Sequence, residues 1–373
     1  VLLLLVRFAL GGSTLDWGTR AVILLVAAAP CALMMATPIA IASGIGAAGK
    51  NGILIKGGMH LENLGKIRII AFDKTGTLTE GRPRVTDLLS TTGNEPELLQ
   101  VALSLEKSST HPLARAIIEK AKERGITSLP VDKFKTLIGS GIEGTINDTR
   151  YYIGNVSFFQ SLGVNPKHTD TIARWRAEGK TVVLLGTSDR IEGVIAIQDQ
   201  IRENALEVIR ELHAMGLKTA MLTGDNAFTA RAIAQKIGID DVRSDLKPED
   251  KIKAVEELIQ NYGSLAMVGD GINDAPALAR ASVGIAMGAA GTDAAIEAAD
   301  AALMGDNLQK LIYGIRLGRK ALSIGKQNIV FSILVLAVLI PSALLGAMTI
   351  TVTVVVHEVS ELLAVANGLR VSQ

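Results

Sequence analysis

Cysteine is almost absent: Cys31 is the one thiol in 373 residues, so no disulfide can close within the chain and the redox compartment goes unmarked. Aromatic residues are scarce as well, at 3%, although hydrophobic residues reach 48%. The apolar content therefore lies in Ala, Val, Ile and Leu. Neither sign of charge is in excess, with 38 Lys and Arg against 37 Asp and Glu. That balance excludes a basic surface for nucleic acid and an acidic solvating tail. Internal repeats and low-complexity tracts are missing too. Charge is also missing locally, from Ala21 to Gly49 and again from Gln327 to Val356.

Those two charge-free runs imply a membrane. A helix crossing ~30 Å of hydrocarbon takes about 20 apolar residues. The first run is long enough to span once. The second, broken by Pro341 and Gly346, stays largely apolar to Leu369 and allows two crossings. Spans are expected at 19–49, 327–346 and 347–370, and residues 1–10 read as the last turns of a further helix. They lack the basic leader and small-residue cleavage site of a signal peptide. Buried core helices of a soluble protein are the plainer alternative. Lys50, Lys56, Lys66 and Arg68 on one side, and Arg316, Arg319, Lys320 and Lys326 on the other, flank the intervening polar stretch. Positive flanks favour the cytoplasmic face.

Within that stretch, Ile67–Phe72 is a short, β-branched run ending at Asp73. Similar runs end at Thr223-Gly224-Asp225 and at Gly269-Asp270, with helical patterns after them at Ala227–Ile237 and Ala275–Arg280. Strands alternating with helices imply a doubly wound parallel sheet, whose ligands sit beyond the carboxyl ends of the strands. All three acidic motifs fall there. Residues from about Val85 to Ile195 read differently. Two helices, around Glu97–Lys107 and Pro112–Arg124, precede strand-like runs at Lys133–Ile138, Gly141–Ile146, Tyr151–Gly154, Thr181–Gly186 and Ile191–Ile197. They suggest an α+β domain inserted into the parallel one.

The motifs carry a specific chemistry. An aspartate at a strand end can attack the γ-phosphate of ATP and form an acyl phosphate. Attack by one anion on another needs Mg²⁺ and a lysine to neutralise charge. Asp270 is suited to hold the metal with Asp73, and Lys251 to neutralise the phosphoryl oxygens. Thr223 and Asn273 are suited to donate hydrogen bonds to the same group. Hydrolases of this sheet type commonly carry a second aspartate two residues after the nucleophile, as acid and base. Here that residue is Thr75, so the acyl phosphate should persist. A capping or turn aspartate is the plainer reading of any one of these motifs taken alone.

Asp73-Lys74-Thr75-Gly76-Thr77, Thr223-Gly224-Asp225-Asn226 and the run from Gly269 to Leu278 together resemble the P-type ATPases, and the resemblance covers almost the whole chain. Asp199 and Arg202 resemble the hinge where the inserted domain rejoins the phosphorylation domain. The resemblance implies membrane α-helices plus an α/β phosphorylation domain at 65–84 and 198–305, with a nucleotide-binding domain at 85–197. It implies ATP and Mg²⁺ as cofactors. Asp73, the Thr75 carbonyl and Asp270, with Asp274 beside them, would surround the Mg²⁺. Lys74, Thr223, Lys251 and Asn273 would serve the phosphoryl group, and Asp225 the nucleotide.

His111-Pro112, preceded by Glu106 and followed by Gly139-Ser140-Gly141-Ile142-Glu143-Gly144, is similar to the nucleotide site of the heavy-metal-transporting branch. Glu106, His111, Gly139 and Gly141 would then bind ATP. The glycine spacing does not open a helix, so it is not the dinucleotide fingerprint. A His-Pro pair alone is more often a helix start.

Ala29-Pro30-Cys31 is expected in the middle of a membrane helix, where proline frees carbonyls for a cation and a thiolate is a soft ligand. His357 and Glu358 lie in an otherwise apolar span, with Glu361 one turn on, and ionisable groups there point to function. The set Cys31, His357 and Glu358 is similar to the branch associated with divalent cobalt and zinc, although Ala29 and Val359-Ser360 depart from its usual pattern. A role in pairing helices is the plainer alternative. These resemblances imply export of a divalent transition metal from the cytosol by an integral protein of the plasma membrane, in contact with lipid. A copper(I) pump is the nearest rival, but one cysteine suits that ion poorly. The Thr-Gly-Glu motif of the family's actuator domain is absent from these residues. The chain is therefore expected to be a fragment that works with a separate actuator domain and further helices, or else a non-transporting fragment that binds ATP and metal. A soluble phosphatase of the same sheet type is opposed by the membrane runs and by Thr75.

Overall fold

A computed structural model describes residues 13–109, 111–137, 140–225, 227–270, 274–288, 297–305 and 307–373. The expected helix remnant at residues 1–10, Gly139 and Asn273 lie outside the described residues. The chain divides into two units, Val1–Ile67 with Ser282–Gln373, and Arg68–Ala281.

The first unit opens with α1 (Thr14–Ala27). Ser13 and Asp16 form a capping box, in which Ser13 Oγ accepts from the Asp16 N–H and the Asp16 carboxylate accepts from the Ser13 N–H. The expected continuous helix through Pro30 is not what the structure shows. α1 stops at Ala27, and α2 (Cys31–Lys50) begins with Pro30 as its N-cap. Proline has no N–H to continue the ladder, and its ring drives the preceding residue out of the α region. β1 (Ile53–Ile55) and α3 (Gly58–Lys66) follow, and α3 buries Leu61 and Leu64.

The second unit begins with β2 (Ile69–Asp73), buried at every position. An irregular turn, Lys74–Leu78, leads into β3 (Thr79–Ser90), α4 (Glu95–Glu106) and α5 (Pro112–Glu123). Then come β4 (Asp132–Leu137), β5 (Gly141–Ile146), β6 (Thr149–Gly154), α6 (Val156–Ser161), α7 (Thr169–Ala177), β7 (Thr181–Gly186) and β8 (Ile191–Ile201). These strands form an antiparallel sheet in the order β3-β8-β7-β6-β5-β4. Side chains alternate between its two faces. Val183 and Leu185 join the core with Leu99, Leu105 and Ile117, whereas Val182 and Leu184 join Phe159 and Trp175. Both faces are therefore covered, as an α+β insertion requires.

The chain continues through α8 (Ala205–Ala214), β9 (Lys218–Leu222), α9 (Ala227–Ile237), β10 (Asp241–Arg243), α10 (Pro248–Tyr262), β11 (Leu265–Gly269) and α11 (Ala275–Arg280). Within this unit β11, β2, β9 and β10 are neighbours in that order, and each pair is parallel. Phe72 lies opposite Val268, and Asp73 opposite Leu222. The register makes the three central strands end level, so Asp73, Thr223 and Asp270 emerge at one edge.

The first unit resumes with β12 (Val283–Met287) and β13 (Ala301–Leu303), which are parallel, while β1 pairs antiparallel with β13. α12 (Gln309–Leu345) and α13 (Ile350–Leu369) complete it. Asn328 is 1% exposed; its amide donates to the Ala364 carbonyl at 2.9 Å and its oxygen accepts from Asn367 at 2.8 Å, tying α12 to α13. α3 crosses α12 where two glycines meet: a Cβ on Gly65 would lie 2.6 Å from the Gly318 carbonyl carbon and oxygen. Three stretches, Leu15–Lys50, Gln309–Leu345 and Ile350–Ser372, are long and apolar enough to cross a membrane.

Candidate functional site

Asp73 sits at the carboxyl end of β2, 7% exposed, after four residues that pack completely into the sheet. Lys251, near the start of α10, reaches it: the ammonium donates to Asp73 Oδ1 at 2.6 Å and to Asp274 Oδ1 at 2.6 Å. Asp274, just before α11, is 1% exposed, and its Oδ2 has no hydrogen-bond partner among the described residues. Burial, together with the charges of Asp274 and Asp270, pushes Asp73 up to about 6 against the pull of Lys251. Burial likewise raises Asp274. Although burial opposes it, the two carboxylates hold Lys251 above the ordinary lysine range. Asp73 and Asp274 thus share one ammonium, the charge of Asp270 acts on Asp73, and a buried carboxylate oxygen of Asp274 is without a partner among the described residues. That negative excess and free lone pair suit a divalent cation.

The turn after Asp73 is held from several directions. Lys74 is buried and ion-paired with Asp225. Thr223 is buried, and its Oγ1 accepts from the Asp225 N–H at 3.1 Å. Arg202 donates from Nε to the Thr77 carbonyl at 2.8 Å and from its guanidinium to the Gly76 carbonyl at 2.9 Å. Asp199 accepts from Thr79 Oγ1 at 2.5 Å and from the Arg82 N–H at 3.0 Å. These bonds leave Thr75 exposed at the edge of the site. Asp199 and Arg202, read from sequence as a hinge, therefore also fix the turn that carries Thr75.

A cleft of about 250 Å³ adjoins this turn. Lys74, Thr75, Asp225 and His111 line it, with Thr181, Gln198 and Thr229. The last three went unnoticed in sequence: Thr181 and Gln198 come in on paired strands and Thr229 on α9. His111 caps α5, its ring Nδ1 accepting from the Leu113 N–H at 3.2 Å. Glu106 and Gly141 do not line the cleft. Glu106, 8% exposed at the end of α4, has an Oε2 without a partner among the described residues, and burial pushes its pKa up to about 7. Gly141 has φ +154°, and a Cβ there would lie 2.0 Å from the Ile153 carbonyl oxygen. Sheet pairing alone demands a glycine at that position.

A separate cluster forms in the first unit. Donor atoms of Cys31, His357 and Glu361 all lie within 4.8 Å of one another. The helix break at Pro30 starts α2 with Cys31, and spacing of four along α13 stacks His357 and Glu361 on one face. Glu358, expected from sequence as the third ligand, is one position round the helix from His357 and exposed. The i, i+4 spacing from His357 to Glu361 was the signal that could have identified the pair.

Comparison with known proteins matches residues 67–282 to the family of haloacid dehalogenase-like hydrolases. A probable cadmium-transporting ATPase of Alkalihalophilus pseudofirmus is 46% identical over 367 residues, which cover 96% of this chain and 51% of that protein. A zinc/cadmium/lead-transporting P-type ATPase of Escherichia coli is 43% identical over 358 residues, covering 95% and 48%. The crystal structure of a zinc-transporting PIB-type ATPase in the E2.Pi state matches with a TM-score of 0.87 and 41% identity, over 100% of this chain and 61% of that one. The chain spans about half the length of the curated relatives it matches.

Proposed function

The chain belongs to the haloacid dehalogenase-like hydrolases, and from that membership we propose that it carries the phosphorylation and ion-binding parts of a P-type ATPase exporting a divalent transition metal. The Asp73–Lys251–Asp274 cluster supports this reading most directly, because it supplies a buried carboxylate nucleophile beside a fixed ammonium. One Asp73 carboxylate oxygen attacks the γ-phosphorus of ATP. The new bond is acyl phosphate, the bond to the bridging oxygen breaks, and ADP leaves with that electron pair. Lys251 neutralises the phosphoryl oxygens, while Thr223 and Asn273 donate to them. The cleft lined by His111 and Asp225 receives the nucleotide, and Glu106 and Gly141 belong to the same nucleotide reading, with Gly139 beside them. Asp73, the Thr75 carbonyl, Asp270 and Asp274 are the groups that would hold Mg²⁺, which supplies charge neutralisation when bound. Thr75 offers no carboxylate to activate water, so the acyl phosphate outlives the phosphorylation step.

Cys31, His357 and Glu361 are the ligands proposed for the cargo ion. A sulfur, an imidazole and a carboxylate suit zinc, cadmium or cobalt(II) better than copper(I), which favours several sulfurs. Glu358, one position away, is assigned to the rim. The catalytic unit would face the cytosol at the plasma membrane, and an actuator domain and further helices would complete the transport cycle.

The test is an acid quench after labelled ATP and Mg²⁺, followed by hydroxylamine. Label that hydroxylamine releases is expected in wild type and not in Asp73→Asn; equal label in both would overturn the phosphorylation reading. For the ion, Co²⁺ should show thiolate-to-metal charge transfer that Cys31→Ser removes. Stoichiometric Cu⁺ binding without Co²⁺ or Zn²⁺ binding would reverse the choice of metal.

A further inference from the structure

Ser332 lies on α12 with 3% of its surface exposed, and its Oγ makes no hydrogen bond among the described residues. A buried hydroxyl left in that condition is costly, and hydrocarbon offers it no partner. Three other buried polar side chains of α12 and α13 are satisfied. Asn328 bonds to Ala364 and Asn367, Thr353 Oγ1 donates to the Thr349 carbonyl at 3.0 Å, and Ser360 Oγ donates to the His357 carbonyl at 2.6 Å. Ser332 instead lines a cavity of about 10 Å³ shared with Pro30, His357 and Ser360. A space of that size matches about one water molecule. His357 is therefore common to the cavity and to the Cys31–Glu361 cluster. That cluster provides three donor atoms, whereas zinc-like ions take four in a tetrahedral site.

We infer that Ser332 completes the ion site as a positioning residue: its hydroxyl anchors a water that fills the fourth coordination position of the cargo ion. The inference rests on the reading that Cys31, His357 and Glu361 hold that ion. It explains why a hydroxyl is kept on a membrane helix without using the carbonyl one turn back, the usual way a serine there is satisfied. It also sets a selection rule. An ion that retains one oxygen ligand fits, and one that prefers a purely sulfur, two-coordinate site does not.

The test is Co²⁺ titration of the intact protein in lipid nanodiscs, read by absorption. The Cys31→Ser control comes first: if its spectrum equals wild type, the ion binds elsewhere and the cargo-site reading itself fails. If Cys31→Ser loses the charge-transfer band, the Ser332 variants decide the further point. Ser332→Ala should keep that band, bind Co²⁺ about tenfold more weakly and shift the visible d–d bands, while Ser332→Thr restores both. A Ser332→Ala protein with wild-type affinity and band positions overturns the inference. Ser332→Cys provides a reading that does not depend on the alanine variant folding. Its sulfur should displace the water and add a second thiolate charge-transfer component, and a spectrum without that component also overturns the inference.

Discussion

Lys251 is the side chain on which the charge balance around Asp73, the proposed phosphorylation site, depends. Lys251→Ala would leave Asp73 and Asp274 buried without their shared cation, and removing a nearby positive charge raises a carboxyl's pKa. Phosphorylation at pH 7 should fall by about 10²-fold or more, with its acid limb moved to higher pH. Initial rates of hydroxylamine-labile labelling across pH 6 to 8 check both; an unchanged rate would remove Lys251 from the mechanism. Glu106 makes the opposite kind of statement. Its folded pKa, about 7, stands above the ordinary value of 4.5, so the folded state holds the proton more tightly. Stability is therefore fully present below the unfolded value and declines as pH rises toward 7. Glu106→Gln should match wild type near pH 4 and exceed it at pH 8 by about 1–3 kcal/mol. Denaturation followed by Trp175 fluorescence in a Trp17→Phe background measures this. At this scale the sequence was informative where a motif is contiguous, as around Asp73, and poor where the fold assembles a site from scattered pieces. Thr181, Gln198 and Thr229 carry no local mark of facing the cleft. Glu361 did carry one, in its spacing from His357.

Elements bounded by strong local signals were the legible ones. α9 and α11 begin and end where the sequence patterns do, and so do β5 and β7. The break before Cys31 was not expected from sequence, because apolar composition is equally high on both sides of Pro30 and hydropathy does not register backbone hydrogen bonding. The start of α12 was obscured for the converse reason. Arg316, Arg319 and Lys320 stop an apolar run, although they do not stop a helix. Gly141 tests what a glycine is for within an element. Gly141→Ala should destabilise the second unit by on the order of 1–3 kcal/mol, because its Cβ would collide with the neighbouring strand. Unchanged stability together with weakened ATP binding would instead assign the glycine to the nucleotide.

On the scale of the whole molecule, α12 is the longest rigid piece described. Its 37 residues extend about 55 Å at 1.5 Å per residue, well beyond ~30 Å of hydrocarbon. The basic residues fall in its first half, so that half should stand in water and the half beyond Lys326 in lipid. Single cysteines placed in a Cys31→Ser background report this directly. A membrane-impermeant maleimide should modify Arg316→Cys and spare Val338→Cys in sealed vesicles; equal modification of both would remove α12 from the membrane. Near the base of the same helix, Gly65 of α3 and Gly318 meet backbone to backbone. With the Leu322 side chain packed against the same point, the contact leaves little room to absorb displacement. In mechanical terms the joint has little backlash: a turn or slide of α12 should carry α3 with it.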